Sequence, residues 1–160
     1  MALEIERKFL VNLEAWNDQQ PITTSSMDYY QGYLLTAAHT TIRVRTAGPH
    51  AWITIKGPTE GASRLEYEYP IPLQDAQEML QHFAAAVVCK TRHVIHYGGK
   101  CWEVDIFRGE NEGLIVAEIE LQHEEETFAL PPWVDREVTG EEKYYNSRLS
   151  EHPYKEWGEG

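Results

Sequence analysis

Glu4-Ile5-Glu6-Arg7-Lys8-Phe9-Leu10-Val11 puts charge at positions 4, 6 and 8 with an isoleucine between the first two. Successive side chains of a strand point to opposite faces, so these three charges share one face. The same spacing recurs outward along the chain, in Arg43 and Arg45, Glu66 and Glu68, Lys90 and Arg92, Glu103 and Asp105, and Glu118 and Glu120, while Lys56 ends a further run. Between these charges stand Ile42, Val44, Ile53, Ile55, Trp102, Val104, Ile106, Ile115, Ala117 and Ile119. An apolar face that continuous has to be covered. With only a few helices to cover it, the charged face is either outer surface or the lining of a closed barrel.

Period-2 runs bounded by Gly, Pro or polar clusters predict strands near Glu4–Val11, Tyr29–Leu35, Thr40–Thr46, Ala51–Lys56, Ser63–Tyr69, Val87–Tyr97, Lys100–Arg108 and Leu114–Leu121. Eight strands suffice to close a barrel. Gly98-Gly99 marks the best-defined hairpin, and pairing across it sets Arg92 opposite Asp105 and Val94 opposite Glu103. Leu73, Ala76, Met79, Leu80 and Phe83 follow helical spacing and predict an amphipathic helix over Leu73–Ala86, packed outside the sheet. Shorter helices are expected at Leu13–Gln19 and Glu141–Ser150. The fold class is therefore α+β, mainly antiparallel β, and residues 1–160 read as one domain without repeat or linker.

The chain has 26 Asp and Glu against 14 Lys and Arg, a formal net charge of −12. That balance argues against general affinity for nucleic acid or anionic membrane, so any anion must be caught locally. No apolar run reaches the length of a membrane span, and the N-terminus lacks the basic-then-apolar profile of a secretion signal, so a cytoplasmic protein is expected. Cys89 and Cys101 stand in no metal-ligand array and are expected as reduced thiols. Trp16, Trp52, Trp133 and Trp157 read as packing residues.

The signs on the charged faces suggest a chemistry. Parallel guanidinium groups, as at Arg43 and Arg45, suit bidentate contact with phosphate oxygens. Carboxylate pairs, Glu4 with Glu6 and Glu118 with Glu120 above all, suit Mg²⁺ or Mn²⁺, which take oxygen ligands and bridge to phosphates. A basic clamp beside an acidic metal site is what polyphosphate chemistry requires.

At this point the residues carry a resemblance. Glu4-Ile5-Glu6-Arg7-Lys8 resembles the N-terminal ExExK motif of the CYTH superfamily, the triphosphate tunnel metalloenzymes. Tyr30-Gln31-Gly32-Tyr33-Leu34, Ile42-Arg43-Val44-Arg45, Thr54-Ile55-Lys56, Ser63-Arg64-Leu65-Glu66-Tyr67-Glu68, Lys90-Thr91-Arg92, Glu103-Val104-Asp105 and Glu118-Ile119-Glu120 resemble its later strand motifs in the same order. The resemblance implies an eight-stranded antiparallel tunnel with triphosphate bound along its charged inner face. It implies that Lys8, Arg43, Arg45, Lys56, Lys90 and Arg92 hold phosphate oxygens, with Arg64 and Lys143 as further substrate contacts. Arg64 has an alternative as a structural ion pair with Glu66, and Lys143 an alternative as an exposed helix residue. Glu4, Glu6, Glu118 and Glu120 become the metal carboxylates, with Asp105 and Glu68 assisting a second Mg²⁺ or Mn²⁺.

The expected reaction is hydrolysis of a small triphosphate, inorganic tripolyphosphate first, without nucleic-acid or membrane partners. Adenylyl cyclase and thiamine triphosphatase are the alternatives of the same fold, and a non-catalytic polyphosphate sensor is the alternative of another class. Oligomeric state is left open, a homodimer being one option.

Overall fold

The computed structural model describes residues 3–158. The elements run β1 (Leu3–Val11), α1 (Leu13–Gln19), β2 (Ser25–Thr36), β3 (Thr41–Ala47), β4 (His50–Lys56), β5 (Ser63–Pro70), α2 (Leu73–Phe83), β6 (Val87–Tyr97), β7 (Lys100–Phe107), β8 (Ile115–Glu120), β9 (Val134–Glu137) and α3 (Asn146–Glu151). Eight strands lie in the order β5-β4-β3-β2-β6-β7-β8-β1, and β1 returns to β5 to close an antiparallel barrel. β1 manages the closure by dividing its length. Residues 3–5 pair with β5, at Leu3↔Leu65, and residues 6–10 pair with β8, at Lys8↔Glu118. β9 takes the edge that β5 leaves free, at Phe9↔Glu137.

All eight expected strands form. β2 begins four residues early because its ladder with β6 runs on to Ser25↔Val94. β9 is a ninth strand that alternation does not reveal: Val134-Asp135-Arg136-Glu137 has no apolar face, and Pro131-Pro132 before it suggests loop. The β6–β7 hairpin turns on Gly98 and Gly99 at φ 60° and 76°, left-handed conformations open to glycine without steric cost. Its register sets Arg92 opposite Asp105 and Val94 opposite Glu103, as the glycine pair implies.

Three apolar assemblies hold the barrel. Ile5 and Phe9 of β1, Trp102 and Val104 of β7, and Ala117 and Ile119 of β8 pack under Trp133, with Trp16 and Phe128 against them. The Trp133 ring meets Trp16 at 5.2 Å and Trp102 at 6.1 Å between centroids, both edge to face. On the far side α2 lays Ala76, Met79 and Leu80 over Val44 and Ala51 of β3 and β4, the outside packing expected of its spacing. It ends at Phe83, short of Ala86, because the chain must reach β6 within three residues and Ala84 is already extended. Ala84 also crosses β2 closely: a Cβ at Gly32 would sit 2.7 Å from the Ala84 Cβ.

The third assembly plugs one end of the barrel. Val88, Phe107 and Val116 continue the inward faces of β6, β7 and β8 and meet Val138, Tyr144 and Leu149. The single helix expected over Glu141–Ser150 is broken here. A 3-10 turn at Glu142–Tyr144 and an extended Tyr145 (φ −67°, ψ 137°) precede α3. The break buries Tyr144 in the plug while Asn146 reaches the barrel wall. Among the described residues no helix is long and apolar enough to cross a membrane.

Trp133 is 2% exposed and joins the outer loop to three strands. Trp133→Ala should cost about 3–5 kcal/mol in urea unfolding, the usual range for a large buried aromatic. A loss below about 1 kcal/mol would show that the loop is not part of the cooperative core.

Candidate active site

Inside the barrel lies a cavity of about 250 Å³ whose wall is almost wholly polar. Seven cations line it, Lys8, Arg43, Arg45, Lys56, Arg64, Lys90 and Arg92, and seven carboxylates face them, Glu4, Glu6, Glu66, Glu68, Glu103, Glu118 and Glu120. The choice between outer surface and barrel lining is thereby decided: the charged faces point inward. Alternation on each strand does this, and ladder register sets which charges meet. Lys8 stands across from Glu118, Glu6 from Glu120, Lys56 from Glu66, and Arg92 from Asp105.

Buried charge is costly unless paired, and most of these groups are paired. Lys56 Nζ lies 3.1 Å from both Glu4 and Glu66, and Arg64 Nε lies 3.4 Å from Glu4. Arg64 thus pairs with Glu4 in place of the Glu66 considered from the sequence. Arg43 lies 3.5 Å from Glu68, with Thr54 donating to Glu68 at 2.7 Å. Lys8 Nζ lies 3.6 Å from Glu118 and 3.4 Å from the Tyr144 carbonyl.

Asp105 has a different position from the one expected of a metal ligand. It is 1% exposed, its oxygens accept from Arg92 Nε at 2.8 Å and Nη2 at 2.9 Å, and Lys90 Nζ lies 2.8 Å away. Burial opposes its ionisation, but Arg92 and Lys90 outweigh that and hold its pKa far below the usual carboxylate range. Asp105 therefore sits behind the wall as the shared counter-charge of two cations.

Two groups remain poorly compensated. Among the described residues Arg45 has no carboxylate within ion-pair distance, and its Nε donates to the amide oxygen of Gln31 at 2.9 Å. Burial, then Arg43 and Arg92, push it down to about 9. Arg43 Nε is buried without an acceptor. Lys90, fully buried, is lowered to about 7 by burial, with Asp105 pulling the other way. Among the acids, burial and then Glu118 and Glu4 raise Glu6 to about 8, whereas Glu118 falls to about 2 because its burial is outweighed by Lys8, Arg92 and Lys90 together. Glu4 also falls to about 2, Lys56 and Arg64 offsetting its burial.

Among the described residues no three carboxylates converge as a ready cation cage. The donor chemistry nevertheless fits a hard divalent ion. Mg²⁺ commonly keeps several waters and is held by one or two carboxylates together with substrate phosphates. Glu6 and Glu120 face each other across β1 and β8 with no cation within ion-pair distance among the described residues, and Glu118 beside them pairs with Lys8 alone, whereas Glu4, Glu68 and Asp105 are held by cations.

A family model described as the CYTH domain matches residues 2–153. An inorganic triphosphatase of Acetivibrio thermocellus is 42% identical over 160 residues, covering 99% of this chain and 100% of the relative. A second inorganic triphosphatase, from Nitrosomonas europaea, is 32% identical over 151 residues, covering 92% of this chain and 96% of the relative. The crystal structure of an inorganic triphosphatase superposes with a TM-score of 0.63 at 29% identity, covering 92% of this chain and 97% of that one. The chain belongs to the CYTH domain family.

This CYTH barrel also uses residues that sequence reading passed over. Tyr29 stands between two clamps, with Arg45 and Arg92 at 4.8 Å and 4.9 Å from its ring centroid. Trp52, Tyr145, Asn146 and Ser147 line the cavity as well, as do Tyr33 and Glu103, which stand in the motifs quoted above without an assigned role. Tyr29 and Tyr33 were available from the inward parity of β2, and Trp52, read as packing, shares parity with Lys56. The C-terminal residues carried no periodic signal. Lys143 stays outside the cavity, its Nζ 4.8 Å from the Trp157 ring centroid, and so is not brought to the other cations.

Asp105→Asn should lower stability by about 3–5 kcal/mol, since it removes one charge and leaves two buried cations facing each other. Chemical denaturation measures it, and a cost under about 1 kcal/mol would remove Asp105 as their counter-charge. Glu6 makes a pH prediction. Its raised pKa means that between about 4.5 and about 8 the unfolded chain is ionised there while the folded protein holds the proton. Stability in chelator should therefore fall across that window and level off above it. Glu6→Gln should flatten the profile, and a fall of unchanged depth in the variant would assign the effect elsewhere.

Proposed function

We propose that the protein is a divalent-metal-dependent triphosphatase that hydrolyses inorganic tripolyphosphate inside its barrel. The observation that carries this reading is Arg45, a half-buried guanidinium without a carboxylate partner among the described residues, crowded by Arg43 and Arg92 in a cavity lined by seven cations. Such a group is stabilised by an anion that brings several charges on closely spaced oxygens. The two relatives named inorganic triphosphatase support the same substrate.

In this reading Lys8, Arg43, Arg45, Lys56, Lys90 and Arg92 hold phosphate oxygens, and Arg64 adds charge at the wall. Arg43 Nε gains the acceptor it lacks among the protein's own atoms. Hydrolysis forms a bond from the water oxygen to a terminal phosphorus and breaks the bridging P–O bond, giving orthophosphate and pyrophosphate. Negative charge gathers on the leaving bridge oxygen, and cations fixed in a barrel meet it without having to reorganise. Glu6, Glu118 and Glu120 would hold Mg²⁺ or Mn²⁺, which supplies Lewis-acid polarisation of phosphate oxygens. Two ions were expected from the sequence; Glu6 and Glu120, which no cation approaches within ion-pair distance among the described residues, and Glu118 beside them favour one site built on this trio. Asp105, Glu4 and Glu68 act in this scheme by holding cations in place.

Phosphate release from tripolyphosphate with Mg²⁺ or Mn²⁺ tests the proposal, with ATP at matched concentration and chromatography of its products. Tripolyphosphate should be the faster substrate. Cyclic AMP with pyrophosphate as the main products would replace hydrolysis by cyclisation, and tight binding without turnover would make the protein a sensor. Arg43→Ala and Arg45→Ala should each reduce kcat/KM by about a hundredfold or more, whereas Lys155→Ala, at the exposed pair with Glu112, should change nothing. Glu118→Gln should abolish metal-stimulated turnover while the protein remains folded.

A further inference from the structure

Asn146 stands at the start of α3, on a segment that the charged strands do not supply, yet its side chain is joined to the interior cations. Its Oδ1 accepts from Lys90 Nζ at 3.1 Å and from Gln31 Nε2 at 3.0 Å. Gln31, itself fully buried, turns its own amide oxygen to Arg45 Nε at 2.9 Å. These bonds make one directional chain, Arg45 to Gln31 to Asn146, with Lys90 entering at the same oxygen. The direction is set by chemistry. Arg45 can only donate, so Gln31 must present its oxygen to it, and the Gln31 amide nitrogen is left to donate to the Asn146 oxygen, to which Lys90 also donates.

We infer that Asn146 is a positioning residue of the triphosphatase, aiming Lys90 directly and Arg45 through Gln31. The inference rests on the reading of the cavity as a tripolyphosphate site. Docking of α3 does not account for the contact, because Leu149, at 0% exposure, and Tyr144, at 6%, already anchor this end of the chain in the apolar plug. Nor does charge compensation, because Lys90 has Asp105 at 2.8 Å. What a neutral amide adds is direction. It fixes the ammonium and, at one remove, a guanidinium that has no carboxylate to orient it, and it brings no negative charge to compete with phosphate.

Three single variants and one double variant test this with steady-state kinetics on tripolyphosphate, calorimetric binding of tripolyphosphate, and thermal melting to establish that each is folded. Asn146→Ala removes the acceptor and leaves every cation, so kcat should fall roughly tenfold or more, the usual worth of a hydrogen bond to a charged group, while KM changes little. Asn146→Asp keeps both bonds and adds a negative charge, so kcat should be largely retained while KM rises and calorimetric affinity falls. Gln31→Leu should reproduce the Asn146→Ala loss, and the double variant should be no worse than the poorer single, as for residues acting through one chain. Wild-type kcat in folded Asn146→Ala, unchanged KM in Asn146→Asp, or fully additive losses would each overturn the inference while the triphosphatase reading stands. If the unaltered protein neither binds nor hydrolyses tripolyphosphate, both fall together. Should Asn146→Ala fail to fold, the Asn146→Asp and Gln31→Leu arms decide.

Discussion

The structure depends on one constraint, that charge withdrawn from water must be met by opposite charge or by oriented dipoles. Asp105 shows it most plainly. Enclosed on all sides, it holds Lys90 and Arg92 at once, and the three form a fixed unit between adjacent strands. That unit is expensive in desolvation and is not an efficient source of stability, since apolar residues of similar volume would commonly serve as well. Its value is positional. Two cations on neighbouring positions of β6 are held rigid from behind, so they reach the cavity in a defined direction without waiting for substrate to order them.

The same constraint explains where pairing is left incomplete. A cavity in which each cation had a close carboxylate would have to break ion pairs to admit an anion. Here Lys56 is doubly paired while Arg45 has only a neutral amide. The ring of Tyr29 between Arg45 and Arg92 keeps the guanidiniums near a favourable π face without offering them a charge. Compensation by dipoles and rings holds a cation in position and leaves its charge available.

Legibility in the sequence follows from the range of each interaction. Charges at i and i+2, most of them with an apolar residue between, read out the inward faces of β1, β3, β6, β7 and β8, because alternation is a local property of strands. The hairpin register was legible because two adjacent glycines dictate the turn. By contrast β9 exists because β1 leaves an edge open beside it, which no feature of Val134-Asp135-Arg136-Glu137 records. Asn146 and Gln31 are neutral and carry no role in the sequence reading, although Gln31 stands inside the Tyr30–Leu34 motif. Lys143 drew notice for its charge, although the chain turns it out over Trp157 and sends its neighbour Asn146 inward. Asp105 was legible as an inward acid, but its partners, and hence its distance from any metal, are set by the register of β6 against β7.

Charge placement also bears on what the protein attracts. The groups lining the cavity cancel, seven cations against seven carboxylates, so the net charge of −12 belongs to the rest of the molecule. Half of the chain's 14 lysines and arginines are therefore spent inside. An approaching polyanion meets a repelling outer field, and only a short, thin chain can pass within to reach the cations. A nucleic-acid duplex is too wide to enter a cavity of about 250 Å³. The apolar plug of Val88, Phe107, Val116 and Leu149 closes one end beside Lys90, which rests 5.5 Å from the Phe107 ring centroid. Selection for a small linear phosphate thus arises from exclusion outside and enclosure within, the same segregation of charge that the alternating strands impose.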